Sequence, residues 1–251
     1  MTVSDTAHQP MAGMPSDLVH VYVWQWPVRI THWLIAISIW VLSVTGIYIG
    51  YPFLISAGPA SDNFLMGWAK LIHFYAAMVF SLSVISRALW GFFGNRYASW
   101  DKFMPVRRKR YKGIIPTLRF YLFNLRLPPG FLGHNPLAGL TYLVVYVLFV
   151  LQILTGLAVY GASAAYDSPF RIFAGLLPLF GGPQTARLIH HVIMWFIWMF
   201  FVHHVYSAIA MSQIEGTGTM ESIFSGWKFV PREDLIYSGY RFKKHKGGEG
   251  G

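Results

Sequence analysis

The sequence contains no cysteine among its 251 residues. This absence excludes disulfide bonds, cysteine-ligated iron–sulfur clusters and thiolate zinc sites. It also excludes the C-x-x-C-H motif that attaches a c-type haem covalently. Any haem must therefore be held without a covalent bond, by other side chains.

Charged residues are also scarce, at 12% of the chain against 55% hydrophobic residues. Lys, Arg, Asp and Glu are absent from four long runs, which are Ile30–Ser61, Leu71–Ser86, Leu127–Tyr166 and Leu188–Ile214. Each run can contain or anchor a span of about 20 residues, with basic side chains snorkelling at its ends. The sequence therefore predicts an all-α integral membrane four-helix bundle, with helices at about 30–50, 68–92, 137–160 and 188–211.

The net charge of +10 is distributed as a membrane topology signal rather than as a nucleic-acid-binding surface. Nine basic residues lie between Gly94 and Asn135 and six follow Glu215, whereas Tyr51–Gly67 has none. By the positive-inside rule, the basic loop and tail face the cytoplasm. We therefore expect an inner-membrane protein in contact with lipids, with both termini cytoplasmic and no nucleic-acid partner. Its segments would be a disordered lead without a signal peptide (1–19), the four-helix domain (20–211) and a basic cytoplasmic tail (212–251). We find no convincing internal repeat.

Two histidines of the fourth predicted helix, His190 and His204, are fourteen residues apart. That spacing is close to four helical turns, so both imidazoles lie near one face, roughly 21 Å apart along the axis. Topology then matches two more histidines by depth. His73 pairs with His190 at the outer side, and His32 pairs with His204 at the inner side. The sequence therefore predicts two bis-histidine sites, one above the other across the membrane.

Histidine within a membrane span is costly and indicates function. Zinc would need further ligands and a di-iron site would need acidic residues that no span supplies. Two neutral imidazoles from different helices match the axial ligands of a six-coordinate haem b, which has no open position. The alternative for any single histidine is a hydrogen-bonded interfacial residue.

Three further residues fit the haem interpretation. Gly46 and Gly156 could let a porphyrin edge approach, and Arg87 could pair with a haem propionate. Helix packing explains the glycines equally well, since small residues are common where membrane helices meet.

The chain resembles the b-type cytochrome subunit of membrane-bound [NiFe] uptake hydrogenases from about Val21 to Gly239. The segments that carry the resemblance are W-P-V-R-I-T-H-W around His32, L-I-H-F around His73, G-H-N-P-L-A around His134, and H-H-V-I-M-W through H-V-Y around His190 and His204. It implies a membrane-anchoring dihaem cytochrome with those same four ligands, His32, His73, His190 and His204. Its partners would be the hydrogenase's iron–sulfur small subunit, through it the large [NiFe] subunit, and a quinone that accepts the electrons. The subunit would perform no hydrogen chemistry itself.

His134 precedes the third predicted helix at the cytoplasmic side and could hydrogen-bond or protonate a quinone. The alternative is a capping histidine or one that holds a propionate.

Two other functions of the chain stay open at this point. One is the cytochrome b subunit of formate dehydrogenase or another periplasmic oxidoreductase, and the other is a haem-free membrane anchor.

Overall fold

The computed structural model describes residues 7–8, 18–54, 58–59, 63–95, 98–100, 115 and 136–231. Its framework is a set of four long helices: α1 (Trp26–Gly50), α2 (Leu65–Phe93), α3 (Pro136–Ser163) and α4 (Pro183–Glu215). All four are long and apolar enough to cross a membrane. The predicted four-helix architecture is therefore confirmed.

Each helix is longer than the span predicted for it, because local backbone signals set its ends. Proline occupies the first turn of α1 and of α4, where its missing N–H costs no hydrogen bond. Gly216 ends α4 in the left-handed region (φ 61°), which only glycine adopts without strain. The helical ends thus carry polar residues beyond the apolar span.

Large apolar side chains face outward along the helices. Ile37, Leu82, Val147 and Trp195 are each more than half exposed, with exposed fractions of 58%, 60%, 54% and 63%. In water such a surface would be unstable, whereas lipid solvates it. The chain is accordingly a multi-pass membrane protein.

The helices form two hairpins, α1 with α2 and α3 with α4, and their backbones approach closely within each hairpin but in few places between the hairpins. A central apolar layer joins the hairpins, and every helix contributes two buried residues to it: Ile35, Ile39, Phe80, Val84, Val145, Phe149, Ile193 and Ile197. Across the same gap, the indole N–H of Trp198 donates to the hydroxyl of the buried Ser43 at 2.7 Å. The interior of the bundle is thus apolar at mid-depth, and this layer separates the two ends of the bundle.

A small sheet at one end of the bundle was not predicted from the sequence. Strands β1 (Ala7–His8), β2 (Leu18–Tyr22) and β3 (Trp227–Pro231) are antiparallel, with β2 in the middle. β2 precedes α1 and β3 follows α4, so the chain enters and leaves the bundle on the same side. The sheet uses parts of the segments for which the sequence predicts a disordered lead and a basic tail. The alternation in β2 is short, because it buries only Val19 and Val21.

Hydrogen bonds connect this sheet to the helix ends. Gln25 accepts at its side-chain oxygen from the Trp90 indole (3.2 Å) and the Asn95 backbone N–H (3.0 Å), which ties α1 to the end of α2. The Trp24 indole donates to Ser222 (3.0 Å) in the short helix α5 (Ser222–Ser225), and the Arg29 guanidinium donates to the Phe224 carbonyl. We call this end, which carries the sheet and α5, the capped end.

At the opposite end, residues Pro169–Phe180 form a 3₁₀-helical segment between α3 and α4. The segment lies back against α3. A Cβ on Gly161 of α3 would be 2.6 Å from the backbone nitrogen of Ala174, so glycine is required for this close approach. We call this the open end.

Candidate haem-binding sites

Two of the predicted ligands, His32 on α1 and His204 on α4, face each other at the capped end. Their ring centroids are 6.2 Å apart and the rings are inclined by 57°. An imidazole nitrogen lies about 2 Å from a first-row metal that it binds, so two imidazoles on one ion place their centroids about 6 Å apart. The separation therefore matches two axial ligands of a single iron.

The surroundings of this pair come from α3 and α4. The Tyr142 hydroxyl lies 3.2 Å from Nδ1 of His204, and the Phe200 ring stacks on the same imidazole at 5.4 Å and 16°. Nδ1 of His32 is buried and has no hydrogen-bond partner within the described part of the chain. A buried nitrogen without a partner is costly in an apolar site.

Arg87, which the sequence predicts to pair with a propionate, lies at the same end. Its side chain is buried, its Nη1 donates to the Ala98 carbonyl at 3.4 Å, and its charge is close enough to interact with His32. A buried guanidinium favours a carboxylate partner. The position suits the predicted role, which stays a prediction.

His73 on α2 and His190 on α4 lie at the open end, close enough for their charges to interact. Nδ1 of His73 is 2.8 Å from the Thr45 hydroxyl of α1. Nδ1 of His190 is 2.9 Å from the Thr155 hydroxyl of α3. Each outer histidine therefore contacts the preceding helix of its own hairpin through a threonine.

The two predicted glycines follow these threonines and lie against the imidazoles. A Cβ on Gly46 would be 3.2 Å from Cε1 of His73, and a Cβ on Gly156 would be 3.1 Å from Cε1 of His190. The missing side chains thus make room for the rings themselves. Direct packing of Gly46 on a porphyrin stays a prediction.

The other histidines near the pairs lie elsewhere. Nδ1 of His191 is 2.9 Å from the Arg187 carbonyl, and its Nε2 packs beside Gly50 at the end of α1. His203 is exposed on the outer surface of α4. We therefore assign neither residue as a haem ligand. His134, the predicted quinone residue, and most of the basic loop before α3 lie outside the described residues.

These residues fit a haem better than a bare metal ion. Among the residues that the structure describes, no three of His, Cys, Asp and Glu converge as a metal cluster. Each end instead offers two imidazoles across a gap between hairpins whose backbones are well separated. At the open end the Gln152 amide nitrogen lies 3.1 Å from Nε2 of His190, so this flexible side chain would have to turn away before that nitrogen could bind iron.

Sequence reasoning missed the polar groups that hold the imidazoles, namely Thr45, Tyr142, Gln152 and Thr155. A signal for two of them was present. The dipeptide Thr-Gly occurs at 45–46 and again at 155–156, near the ends of the first helix of each hairpin. The number of residues between this threonine and the histidine that it contacts differs between the hairpins, from Thr45 to His73 and from Thr155 to His190. No repeat is therefore apparent along the chain.

The chain is similar to proteins of a known family. The family model described as prokaryotic cytochrome b561 matches residues 23–226. The chain is similar to the "Probable Ni/Fe-hydrogenase B-type cytochrome subunit" of Cupriavidus necator, with 38% identity over 210 residues, 82% of this chain and 86% of that protein. It is 36% identical over 211 residues to the protein of the same name from Azotobacter vinelandii, covering 83% and 88% of the two chains.

A third relative, the "Probable Ni/Fe-hydrogenase 1 B-type cytochrome subunit" of Escherichia coli K12, is 35% identical over 222 residues, 87% of this chain and 94% of its own. The family model covers all four helices, and the alignments with these relatives extend over more than four fifths of the chain. The predicted resemblance is confirmed: the chain belongs to the prokaryotic cytochrome b561 family of membrane-bound b-type cytochromes.

Proposed function

We propose that the chain is the membrane-anchoring dihaem cytochrome b of a periplasm-facing [NiFe] hydrogenase. In this role it accepts electrons from the iron–sulfur small subunit and passes them from an outer to an inner haem b and on to the quinone pool. The outer haem is held by His73 and His190, and the inner haem by His32 and His204. The names of the relatives support the partner, and the two depth-separated histidine pairs support the path.

One observation carries the proposal: the 6.2 Å separation of the His32 and His204 rings across the gap between the hairpins. His32 and His204 would hold a haem at this site, and the haem would supply a one-electron carrier. The chain itself supplies the placement of the imidazole rings and the exclusion of water. Its helices hold the rings in place, and the eight-residue apolar layer between the sites excludes water from the bundle centre.

The direction of transfer follows from the predicted topology. Because the basic loop and tail indicate a cytoplasmic capped end, the open end with its 3₁₀-helical segment would face the hydrogenase.

Two further residues would act at the capped end. Arg87 would hold a propionate of the inner haem. His134 would hydrogen-bond the quinone, and its replacement by Ala should abolish hydrogen-dependent quinone reduction while dye-linked hydrogen oxidation continues.

Absorption spectra with haem quantitation test the cofactors. We expect two haems b per chain in reduced-minus-oxidised spectra of the purified membrane complex. A haem-free preparation would instead support the simple membrane anchor and contradict the proposal.

Co-purification tests the partner. A nickel–iron dimer bound to the affinity-tagged chain supports the hydrogenase role. Recovery of a molybdenum protein would support the formate dehydrogenase alternative, with the haem sites retained.

A further inference from the structure

The two threonines at the open end have the same hydrogen-bond arrangement. Thr45 Oγ1 donates to the Val41 carbonyl at 2.7 Å and lies 2.8 Å from Nδ1 of His73. Thr155 Oγ1 donates to the Leu151 carbonyl at 2.8 Å and lies 2.9 Å from Nδ1 of His190. Each hydroxyl also lies near a second carbonyl, that of Leu42 at 3.2 Å or of Gln152 at 3.1 Å. Its partners are therefore backbone carbonyls of the preceding turn and one imidazole nitrogen.

The donor count decides which way the second hydrogen bond runs. A threonine hydroxyl has one hydrogen to donate and two lone pairs to accept. Since each hydrogen is used by a carbonyl four residues earlier, the hydroxyl oxygen can only accept from the imidazole. Nδ1 of His73 and of His190 must then carry a hydrogen, and in a neutral imidazole Nε2 keeps its lone pair.

A second neighbour agrees with this tautomer at His190. The Gln152 amide nitrogen, which can only donate, lies 3.1 Å from Nε2. The partners of both nitrogens of the His190 ring thus leave Nε2 as the acceptor.

We propose that Thr45 and Thr155 are positioning residues that hold His73 and His190 in the tautomer that binds haem iron, and that they lower the reduction potential of the outer haem. This rests on the proposed function, because it assumes that the two histidines are the ligands. A ligand imidazole that donates its second N–H is more basic, which favours the ferric state.

The two ends of the bundle differ in this respect. Both outer imidazoles donate to a threonine hydroxyl. At the inner pair only His204 has a hydroxyl at Nδ1, that of Tyr142 at 3.2 Å, and Nδ1 of His32 has no partner among the residues described. The outer haem is therefore the more easily oxidised of the two. That order favours transfer from the open end towards the capped end.

The test uses valine, which has the shape of threonine without the hydroxyl. Thr45→Val, Thr155→Val and the double variant are compared with Thr45→Ser and Thr155→Ser, which keep it. The matched control is Thr141→Val, because Thr141 makes the same backbone bond, to Leu137 at 3.0 Å. The readouts are haem content and a redox titration of the two haems in the purified complex.

We expect each valine variant to raise the midpoint of one haem, changing its ferric-to-ferrous ratio at a fixed potential by roughly two- to tenfold, the worth of one net hydrogen bond. Loss of one haem in the valine variants that the serine variants restore also supports the proposal. Two haems with both midpoints unchanged in the double valine variant would overturn it. So would equal shifts in the serine and valine variants. A wild-type complex without haem would overturn the proposed function, and this inference with it.

Discussion

His203 and His204 are neighbours on α4 but lie in different environments. His204 faces the bundle interior, where it meets His32 and Tyr142, whereas His203 is exposed on the outer surface of the helix. Adjacent helical residues point about 100° apart, so only one of two consecutive histidines can reach an internal site.

Replacing His204 by Ala should therefore remove one haem, reducing the content from two to one per chain, because an axial ligand of the inner site is lost. Replacing His203 by Ala should leave both. Haem quantitation by the pyridine haemochrome method measures the difference. Equal haem content in the two variants would contradict the ligand assignment.

A methyl group at Gly156 should disturb the outer site. Its Cβ would be 3.1 Å from Cε1 of His190, so the imidazole would have to shift by a few tenths of an ångström. We expect Gly156→Ala to weaken retention of one haem and to broaden its spectrum. Gly175→Ala is the matched control, since a Cβ there meets nothing within 4 Å. Normal haem retention in Gly156→Ala would show that the ring has more freedom than the packing indicates.

Removing the buried charge of Arg87 should weaken the inner haem. Hydrogen bonds to charged groups contribute about 1.5–3 kcal/mol, so Arg87→Gln should lower the affinity for one haem by roughly ten- to a hundredfold. Transfer of haem to apomyoglobin measures this loss. Arg171→Gln on the exposed 3₁₀-helical segment should leave both haems in place. If both variants lose haem at the same rate, the propionate role of Arg87 is wrong.

The hydrogen bond from Trp198 to Ser43 should stabilise the bundle. Replacing Ser43 by Ala leaves the indole N–H without its 2.7 Å partner, at an expected cost of about 0.6 kcal/mol and at most about 2 kcal/mol. Unfolding by SDS in mixed micelles gives the free energy. Ser163→Ala removes a hydroxyl that bonds only to carbonyls of its own helix, at 3.0 Å and 3.4 Å, and should change stability less. A larger loss in Ser163→Ala would contradict this view of the interface.

The sequence predicted the helices and the depth of the histidines because both follow from one-dimensional patterns. Long uncharged runs must form helices in lipid, and topology then orders His32, His73, His190 and His204 by depth. Hydrogen-bond partners such as Thr45 and Tyr142 depend on helix rotation, which sequence spacing does not determine. Many threonines in membrane helices bond only to their own backbone, as Thr141 does.

The β2–β3 pairing could not be predicted for a different reason. The two strands are five residues each and are separated by the whole bundle, from Tyr22 to Trp227. A five-residue pattern carries little information by itself, and its partner is identified only when the helices bring the two segments together.

That long separation sets the order in which the protein can be assembled. The strand Leu18–Tyr22 is synthesised before any membrane span, but its partner Trp227–Pro231 leaves the ribosome only after the fourth span is made. The cap can therefore close only after the fourth span is made, and only on a chain that has crossed the membrane an even number of times. A haem entering from the capped side would have until that closure to reach His32 and His204.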